Sequence, residues 1–369
     1  MFRRIIAQAR KELTQIMRDR LALALALVLP LFLLLLLSNA ISLTVNDLPL
    51  IVQDLDNSAA SRSYIDAFRA SVTFRVVSWP ANRQPESALQ AGAARAVLII
   101  PEHFSRDMAR GQTANVQILI DATDANTAKL VSGYAGQITR AYVEQNTGAP
   151  SVAMVNPQVR LWFNPGRVSQ KFYAPGIFVL GISMFPPLLA SLAMAKEGDQ
   201  KTILQVYVSS ISAHEFVLGK ILAFTVIALA EGLLTMTTLL TVFGLRLTGD
   251  PTPLIVATIL YAFCVAAFGT MVGAAIPNQA AAIQAVALGG FLLVFLLSGL
   301  IFPVENIPVG LRWISNLIWG RYYIVIVRDA LLQGGGWPAM WFNVLMIAII
   351  GAVFYVLAWR VLRPMQVKA

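Results

Sequence analysis

The sequence is poor in charged residues and in cysteine. Its 369 residues are 13% charged and 57% hydrophobic, whereas a typical soluble domain is about 25% charged. This composition excludes an ordinary soluble domain and indicates an integral membrane protein. The formal net charge of +9 is small for this length, and basic residues beside membrane spans explain it without a nucleic-acid partner. The single cysteine, Cys264, excludes an intrachain disulfide and leaves the redox compartment open.

Six apolar runs are long enough to cross a bilayer as helices, which takes about 20 residues. We predict a first span at 21–43 and a five-helix region within 172–369. The predicted spans are Leu21–Leu43, Phe172–Met194, Phe216–Phe243, Leu254–Ile276, Ala280–Phe302 and Met340–Val361. A cleaved signal peptide is a rival for the first run, because its end resembles a cleavage site. The length of the run and the helical segment before it favour a retained span.

Residues 1–20 combine basic residues with apolar residues at helical spacing. The apolar set is Phe2, Ile5, Ile6, Ala9, Leu13, Ile16 and Met17, and the basic set is Arg3, Arg4, Arg10, Lys11, Arg18 and Arg20. This pattern predicts an amphipathic helix that lies on the anionic cytoplasmic face of the membrane. An ordinary flanking segment is the alternative.

Residues 44–171 differ from the rest, because charges of both signs return and the apolar runs shorten to strand length. Four predicted strands, Leu50–Val52, Val72–Trp79, Ala96–Ile100 and Val116–Ile120, alternate with four predicted helices, Ala59–Ala70, Pro85–Ala94, Glu102–Arg110 and Ala125–Asn146. This alternation predicts a small inserted α/β domain. The order of its strands is not predicted.

Basic residues set the orientation. Short segments on the side of the termini carry twelve Lys and Arg residues, and the opposite side carries four when the large domain is left out. By the positive-inside rule both termini and the loop at 195–220 are cytoplasmic, so 44–171 is extracytoplasmic. Residues 303–339 contain Trp313, Trp319 and Trp337, which places this segment at an interface as a re-entrant or surface helix pair on the outer face.

Motifs for nucleotide and metal chemistry are lacking. The Gly219-Lys220 pair lacks the first glycine of a phosphate-binding loop, and Ile221 follows where a hydroxyl residue is needed. The two histidines fall in segments predicted on opposite sides of the membrane, so we predict no catalytic, cofactor or metal residues. Residues 54–58 weakly resemble a calcium loop, but capping of the following helix explains them better.

Glu231 is the one acidic residue in the middle of a predicted span. It lies eleven residues after Lys220, which is about 16 Å along a helix. Carboxylates inside the membrane are candidates for function. The structural alternative is a carboxyl that bonds Gln284 or a backbone carbonyl, and the two interpretations are equally weighted.

Four groups of residues follow one another along the chain: Arg10-Lys11-Glu12 with Arg18-Asp19-Arg20 and Pro30; Asp54, Asp56-Asn57-Ser58 and Ser61-Arg62; Glu215 with Leu218-Gly219-Lys220; and Leu297-Ser298-Gly299 with Phe302-Pro303, Pro308 and Trp313-Ile314-Ser315. In this order and spacing they resemble motifs of the permease subunits of type-2 ATP-binding-cassette (ABC) exporters with a large domain after the first span. The chain departs from the family pattern at Asp199-Gln200-Lys201-Thr202, where Glu-x-Gly-Thr is usual, and at Leu204, Ser210 and Trp319.

The resemblance implies a multi-pass protein of the bacterial inner membrane that pairs with a second permease, identical or paralogous. It implies a cytoplasmic ABC ATPase as partner and leaves a periplasmic adaptor protein open. The residues that would couple to the ATPase are Arg10, Lys11, Glu12, Thr202, Leu204, Glu215, Gly219 and Lys220. The candidates for the translocation path are Glu231, Gln284, Ser298, Gly299 and Pro303.

We therefore predict a polytopic α-helical membrane protein with six spans and an inserted extracytoplasmic α/β domain. Its predicted function is the non-catalytic permease of an ATP-driven exporter of an amphiphilic or apolar substrate. The alternative is an ATPase-linked transmembrane signalling scaffold or sensor that transports nothing. A receptor with an outer sensing domain fits less well, because it predicts fewer spans and a long cytoplasmic output region.

Overall fold

The chain divides into two compact units in a computed structural model. The membrane unit comprises Met1–Ser42 and Leu161–Ala369, and the inserted unit comprises Leu43–Arg160. The structure describes residues 2–40, 47–80, 84–90, 93–121, 125–147, 169–200, 211–300, 304 and 307–363. Each unit is described by itself.

The membrane unit begins with two helices, α1 (Phe2–Arg18) and α2 (Arg20–Ala40). The Asp19 carboxylate separates them, because it accepts hydrogen bonds from the backbone N–H groups that open α2. One face of α1 is buried and includes polar residues; its buried side chains are Ile5, Gln8, Glu12 and Ile16. Only part of the predicted apolar face is therefore buried, since Phe2 and Met17 remain exposed.

The inserted unit contains a four-stranded sheet: β1 (Leu48–Asp54), β2 (Phe74–Val77), β3 (Ala96–Ile100) and β4 (Gln117–Ile120). The strand order is β2-β1-β3-β4, with β1 parallel to β2 and to β3, and β3 antiparallel to β4. Its helices are α3 (Ala59–Arg69), α4 (Glu86–Gln90), α5 (Phe104–Ala109) and α6 (Ala125–Thr147). Each predicted strand and helix of this region is present, with bounds shifted by a few residues.

The core of the inserted unit lies mainly on one face of this sheet, where aromatic rings from α3 and α5 pack on the strands. Tyr64 stacks on Phe104 and its edge meets Phe68. Ser58 begins α3 in a reciprocal capping box with Ser61. The interpretation of residues 54–58 as a cap for this helix is confirmed. Asp54 strengthens the cap by accepting a hydrogen bond from the Ser61 hydroxyl.

Four long apolar helices follow in the membrane unit, α7 (Ser169–Asp199), α8 (Ala213–Thr241), α9 (Thr252–Ala275) and α10 (Gln279–Leu297). Two shorter helices, α11 (Val309–Ser315) and α12 (Trp319–Arg328), precede the last long helix, α13 (Trp337–Leu362). Counting α2, six helices are long and apolar enough to cross a membrane within the described part of the chain, as predicted.

The helix α9 packs directly on α7 through two glycines spaced as GxxxG. A side chain at Gly269 would clash with the Pro187 carbonyl, and one at Gly273 would clash with the Ser191 carbonyl. Small residues at this spacing let two helix backbones touch, which is a common way to join spans in lipid. At these two positions α7 and α9 therefore meet backbone to backbone.

The fifth span ends earlier than predicted. Its helix stops at Leu297, because Gly299 adopts a left-handed φ of 86°. The segment after it holds the expected helix pair, α11 and α12. Trp319 is a correction to the interface prediction, because it is 3% exposed and packs between Phe268 and Phe354. Trp313 is exposed on α11, in line with the prediction.

Candidate functional site

The helix α8 begins with a capping box at its predicted cytoplasmic end. Ser212 accepts a hydrogen bond from the Glu215 N–H, and the Glu215 carboxylate accepts one from the Ser212 N–H. Arg4 of α1 lies 3.7 Å from the same carboxylate. The start of α8 is therefore fixed by its own cap and by a charge from the first helix.

Five residues later, Lys220 is buried between three helices. Its Nζ lies 2.9 Å from the Glu12 carboxylate of α1 and 3.2 Å from the Glu197 carboxylate at the end of α7. The Lys220 side chain is 1% exposed and the Glu12 side chain 3%. A buried charge of this kind is tolerated when opposite charges and hydrogen bonds surround it.

Two further side chains complete this group. Gln8 donates a hydrogen bond of 3.0 Å to Glu12 Oε1, and Lys11 lies 3.0 Å from Glu197 and 3.5 Å from Glu12. We call Gln8, Lys11, Glu12, Glu197 and Lys220 the Lys220 cluster. It joins α1, the end of α7 and the start of α8 through two acids and two bases, so its formal charges balance.

Lys11 differs from Lys220 in burial, because half of its side chain is in solvent. Burial by itself would lower the pKa of Lys11. The Glu197 carboxylate, followed by Glu12, outweighs this effect and raises the pKa above its ordinary value of 10.5. Lys11 is therefore the solvent-exposed base of the cluster, whereas the Lys220–Glu12 pair is enclosed.

Gly219 brings α1 and α8 into close contact beside this cluster. A Cβ atom at Gly219 would lie 2.7 Å from the Gln8 Cβ and 3.0 Å from the Ile5 carbonyl oxygen. No side chain other than hydrogen fits at this position without moving α1. The Gly219-Lys220 pair thus supplies a close approach and a charge at adjacent positions.

A cavity of about 570 Å³ adjoins the Lys220 cluster. Its polar lining includes Lys11, Glu12, Lys196 and Glu197, and its apolar lining includes Phe224. Gln200 and Ile211, which flank residues 201–210, also line it.

Of the residues predicted to couple to an ATPase, the structure brings Lys11, Glu12 and Lys220 together and places Gly219 and Glu215 beside them. Arg10 lies on the exposed side of α1. Thr202 and Leu204 lie outside the described residues.

The candidates for a translocation path do not form one group. Pro303 lies outside the described residues, and Ser298 is buried with no hydrogen-bond partner for its hydroxyl among the described residues. The Gly299 carbonyl accepts a hydrogen bond of 3.0 Å from Arg328. The predicted bond between Glu231 and Gln284 is absent from the described structure, since Gln284 is exposed and both carboxyl oxygens of Glu231 are buried without a partner.

Three residues of these sites escaped the sequence analysis. Glu197 and Gln8 complete the Lys220 cluster. The sequence contains a hint of the Glu197 contact, because this acidic residue follows one predicted span and Lys220 lies near the start of the next predicted span. Arg328 closes the end of α10 by donating to the Gly299 and Leu300 carbonyls. Its charge was counted only for orientation.

Comparisons with known proteins agree with this architecture. The profile of a family described as ABC-2 family transporter protein matches residues 21–360. A probable multidrug ABC transporter permease, YbhS of Escherichia coli K12, is 26% identical over 97% of this chain and 96% of its own length. A second one, YbhR, is 24% identical over 98% of this chain and 99% of its own. The inner membrane transport permease YhhJ of the same strain is 23% identical over 94% of each chain.

Proposed function

This chain belongs to the ABC-2 family of transporter proteins, and we propose that it is the permease subunit of an exporter driven by a separate cytoplasmic ATPase. In this proposal the chain hydrolyses no ATP itself. It forms the path for an amphiphilic or apolar substrate and receives movement from the ATPase at residues 195–220.

The Lys220 cluster is the observation that carries the proposal. Glu197 precedes residues 201–210 and contacts Lys11 of α1. Lys220 follows residues 201–210 and contacts both Glu12 of α1 and Glu197. A partner that displaces either α1 or the interval between α7 and α8 would therefore move all three helices. A cytoplasmic ATPase requires such a link to move two spans together.

The helix α8 supplies a stiff continuation of this link. It has 29 residues, which corresponds to about 44 Å at 1.5 Å per residue. The Ser212–Glu215 capping box protects its first turn from fraying. A displacement at its start is consequently transmitted across the whole bilayer thickness.

The proposed topology places both termini and 195–220 in the cytoplasm, and the inserted unit, predicted as 44–171, outside. The twelve-to-four distribution of basic residues supports this orientation. The relative YhhJ is an inner membrane transport permease, which supports the bacterial inner membrane as the location of this chain. We further propose a dimer with an identical or paralogous permease, and an adaptor on the outer unit as an optional partner.

The substrate class follows from the composition of the spans and from the relatives. The spans contain few charges, so they offer little to a strongly ionic substrate. Two relatives are named probable multidrug permeases. An amphiphilic or apolar substrate is therefore the proposal for this chain.

The test is transport by vesicles that contain this chain together with the ATPase encoded by a neighbouring reading frame. We expect ATP-dependent movement of an amphiphilic dye that Lys220→Met abolishes and Arg360→Met preserves, since Arg360 is an exposed basic residue of α13 outside 195–220. Folding of both variants is checked by their thermal midpoints. ATP turnover without dye movement would favour a signalling scaffold, and an ATPase that never associates with the chain would refute the coupling.

A further inference from the structure

Glu231 is a buried carboxyl group that the coupling mechanism does not use. It lies in the middle of α8 and is 0% exposed. Neither of its carboxyl oxygens has a hydrogen-bond partner in the described part of the chain. An unpaired ionisable group inside a membrane protein is costly, so its presence calls for a ligand or a local structural reason.

The described surroundings of the carboxyl group give it no hydrogen-bond donor. A Cβ atom at Gly181 of α7 would lie 3.1 Å from Glu231 Oε1 and 3.5 Å from the Cβ of Pro30 in α2. The carboxyl therefore points into the contact between α2, α7 and α8. A residue larger than glycine at 181 would press on the oxygen.

Prolines remove backbone donors from the helices that meet at this contact. Pro30 lies inside α2 and Pro186 inside α7, and neither has a backbone N–H. The Ile182 side chain, next to Gly181 in the chain, packs on Gly232, the neighbour of Glu231. The prolines therefore supply no backbone donor to the carboxyl group.

The helix that covers Glu231 on one side, α2, is itself largely exposed. Only 22% of the α2 span is buried, and Val28 and Phe32 on it are exposed. Glu231 thus lies one helix thickness below a lipid-facing surface. A molecule dissolved in the bilayer would reach the carboxyl by displacing α2 rather than by crossing water.

We propose that Glu231 binds the cationic head of an amphiphilic monovalent cation that enters from the bilayer between α2 and α7. This inference rests on the proposed function and narrows its substrate class. The cation supplies the counter-charge that the carboxylate lacks. Its apolar body replaces the apolar side chains of α2 that cover Glu231. The next described charge along α8, Lys220, is about 16 Å away and already paired.

The experiment is equilibrium binding of radiolabelled tetraphenylphosphonium to the purified full chain in lipid nanodiscs, without an ATPase. We expect saturable binding that Glu231→Gln weakens by about thirtyfold or more, because a buried charge partner is lost. Tetraphenylborate, which has the same shape and the opposite charge, should not compete. Wild-type chain that binds no tetraphenylphosphonium, or a Glu231→Gln variant that binds it equally well, overturns the proposal.

A second pair of variants guards against a general packing effect. Gly181→Ala should weaken the binding several-fold, since the new methyl group presses on the carboxyl. Gly289→Ala, where the nearest atom would be 3.7 Å away, should leave the affinity unchanged. Equal losses in both variants would also refute the site. Failure of these binding tests leaves dye transport and its dependence on Lys220 intact, so the two proposals fail separately.

Discussion

Two ionisable positions eleven residues apart on α8 are built in opposite ways. At the start of the helix, Lys220 is surrounded by Glu12, Glu197 and the Ala193 carbonyl. In its middle, Glu231 is equally buried but has no described partner. The same helix therefore carries one charge that is satisfied within the chain and one that is not.

The contrast separates two uses of buried charge. A saturated pair fixes the geometry of the helices that supply its members, and removing one member leaves the other stranded. An unsatisfied carboxyl holds nothing in place and is available to a ligand. We therefore expect substitutions at Lys220 and Glu231 to have very different effects on stability, although the two side chains are equally buried.

The largest effect is expected from Lys220→Met. It leaves the carboxylates of Glu12 and Glu197 with only the half-exposed Lys11 as counter-charge, so the variant should lose up to about 3–5 kcal/mol of stability. Its thermal midpoint in detergent should fall well below that of Lys196→Met, the exposed control. Equal midpoints would show that water already reaches the cluster.

A smaller loss is expected from Gly219→Ala, which tests the close contact that holds α1 against the cluster. The new methyl group meets Gln8 and the Ile5 carbonyl, and overpacking of this kind costs about 1–3 kcal/mol. Alanine favours helices by up to about 1 kcal/mol over glycine, so the net loss is reduced accordingly. In Gly310→Ala nothing lies within 4 Å of the new atom, and its thermal midpoint should not fall.

Lys11→Met is expected to change stability by less than about 1 kcal/mol, although Lys11 contacts the same two carboxylates as Lys220. Half of its side chain is in water, and salt screens such a pair. Raising the ionic strength from about 0.1 M to about 1 M should remove the difference from wild type. The difference between Lys220→Met and wild type should survive the same salt.

The pH dependence of the Lys11 contribution has a definite sign. Its pKa is raised in the folded chain, so the contribution is fully present below 10.5 and is lost as pH rises through the folded value. Denaturation curves of wild type and Lys11→Met should therefore keep a constant separation across neutral pH. A separation that vanishes near neutrality would contradict the pairing with Glu197.

Length, hydropathy and turn chemistry were sufficient to predict most helices and strands from the sequence. Spans are long and uniformly apolar, and Ser58 follows a cap pattern, so both are local signals. The early end of α10 was not predicted, because the left-handed conformation of Gly299 depends on the path of the surrounding chain and not on the local sequence. Trp319 was misplaced because its burial depends on Phe268 and Phe354, which are distant in sequence.

The site was only partly predictable for the same reason. Lys220, Gly219 and Glu12 carry motif signals, whereas the pairing of Glu12 with Lys220 joins residues 208 positions apart. Glu231 was recognised as unusual from its position alone. That it lacks Gln284 as a partner could be learned only from the packing, which turns the polar side chain of Gln284 outward.

The smallest effect on stability is expected from Glu231→Gln, and it tests the comparison most directly. Glutamine has almost the same shape, and the described fold gives neither side chain a partner, so the change should stay within about 1 kcal/mol of wild type. Glu12→Gln is the matched isosteric control and should cost up to about 3 kcal/mol, because Lys220 loses one of two counter-charges. A Glu231→Gln variant that melts as low as Glu12→Gln would show that Glu231 is structural, and the distinction between the two ends of α8 would no longer hold.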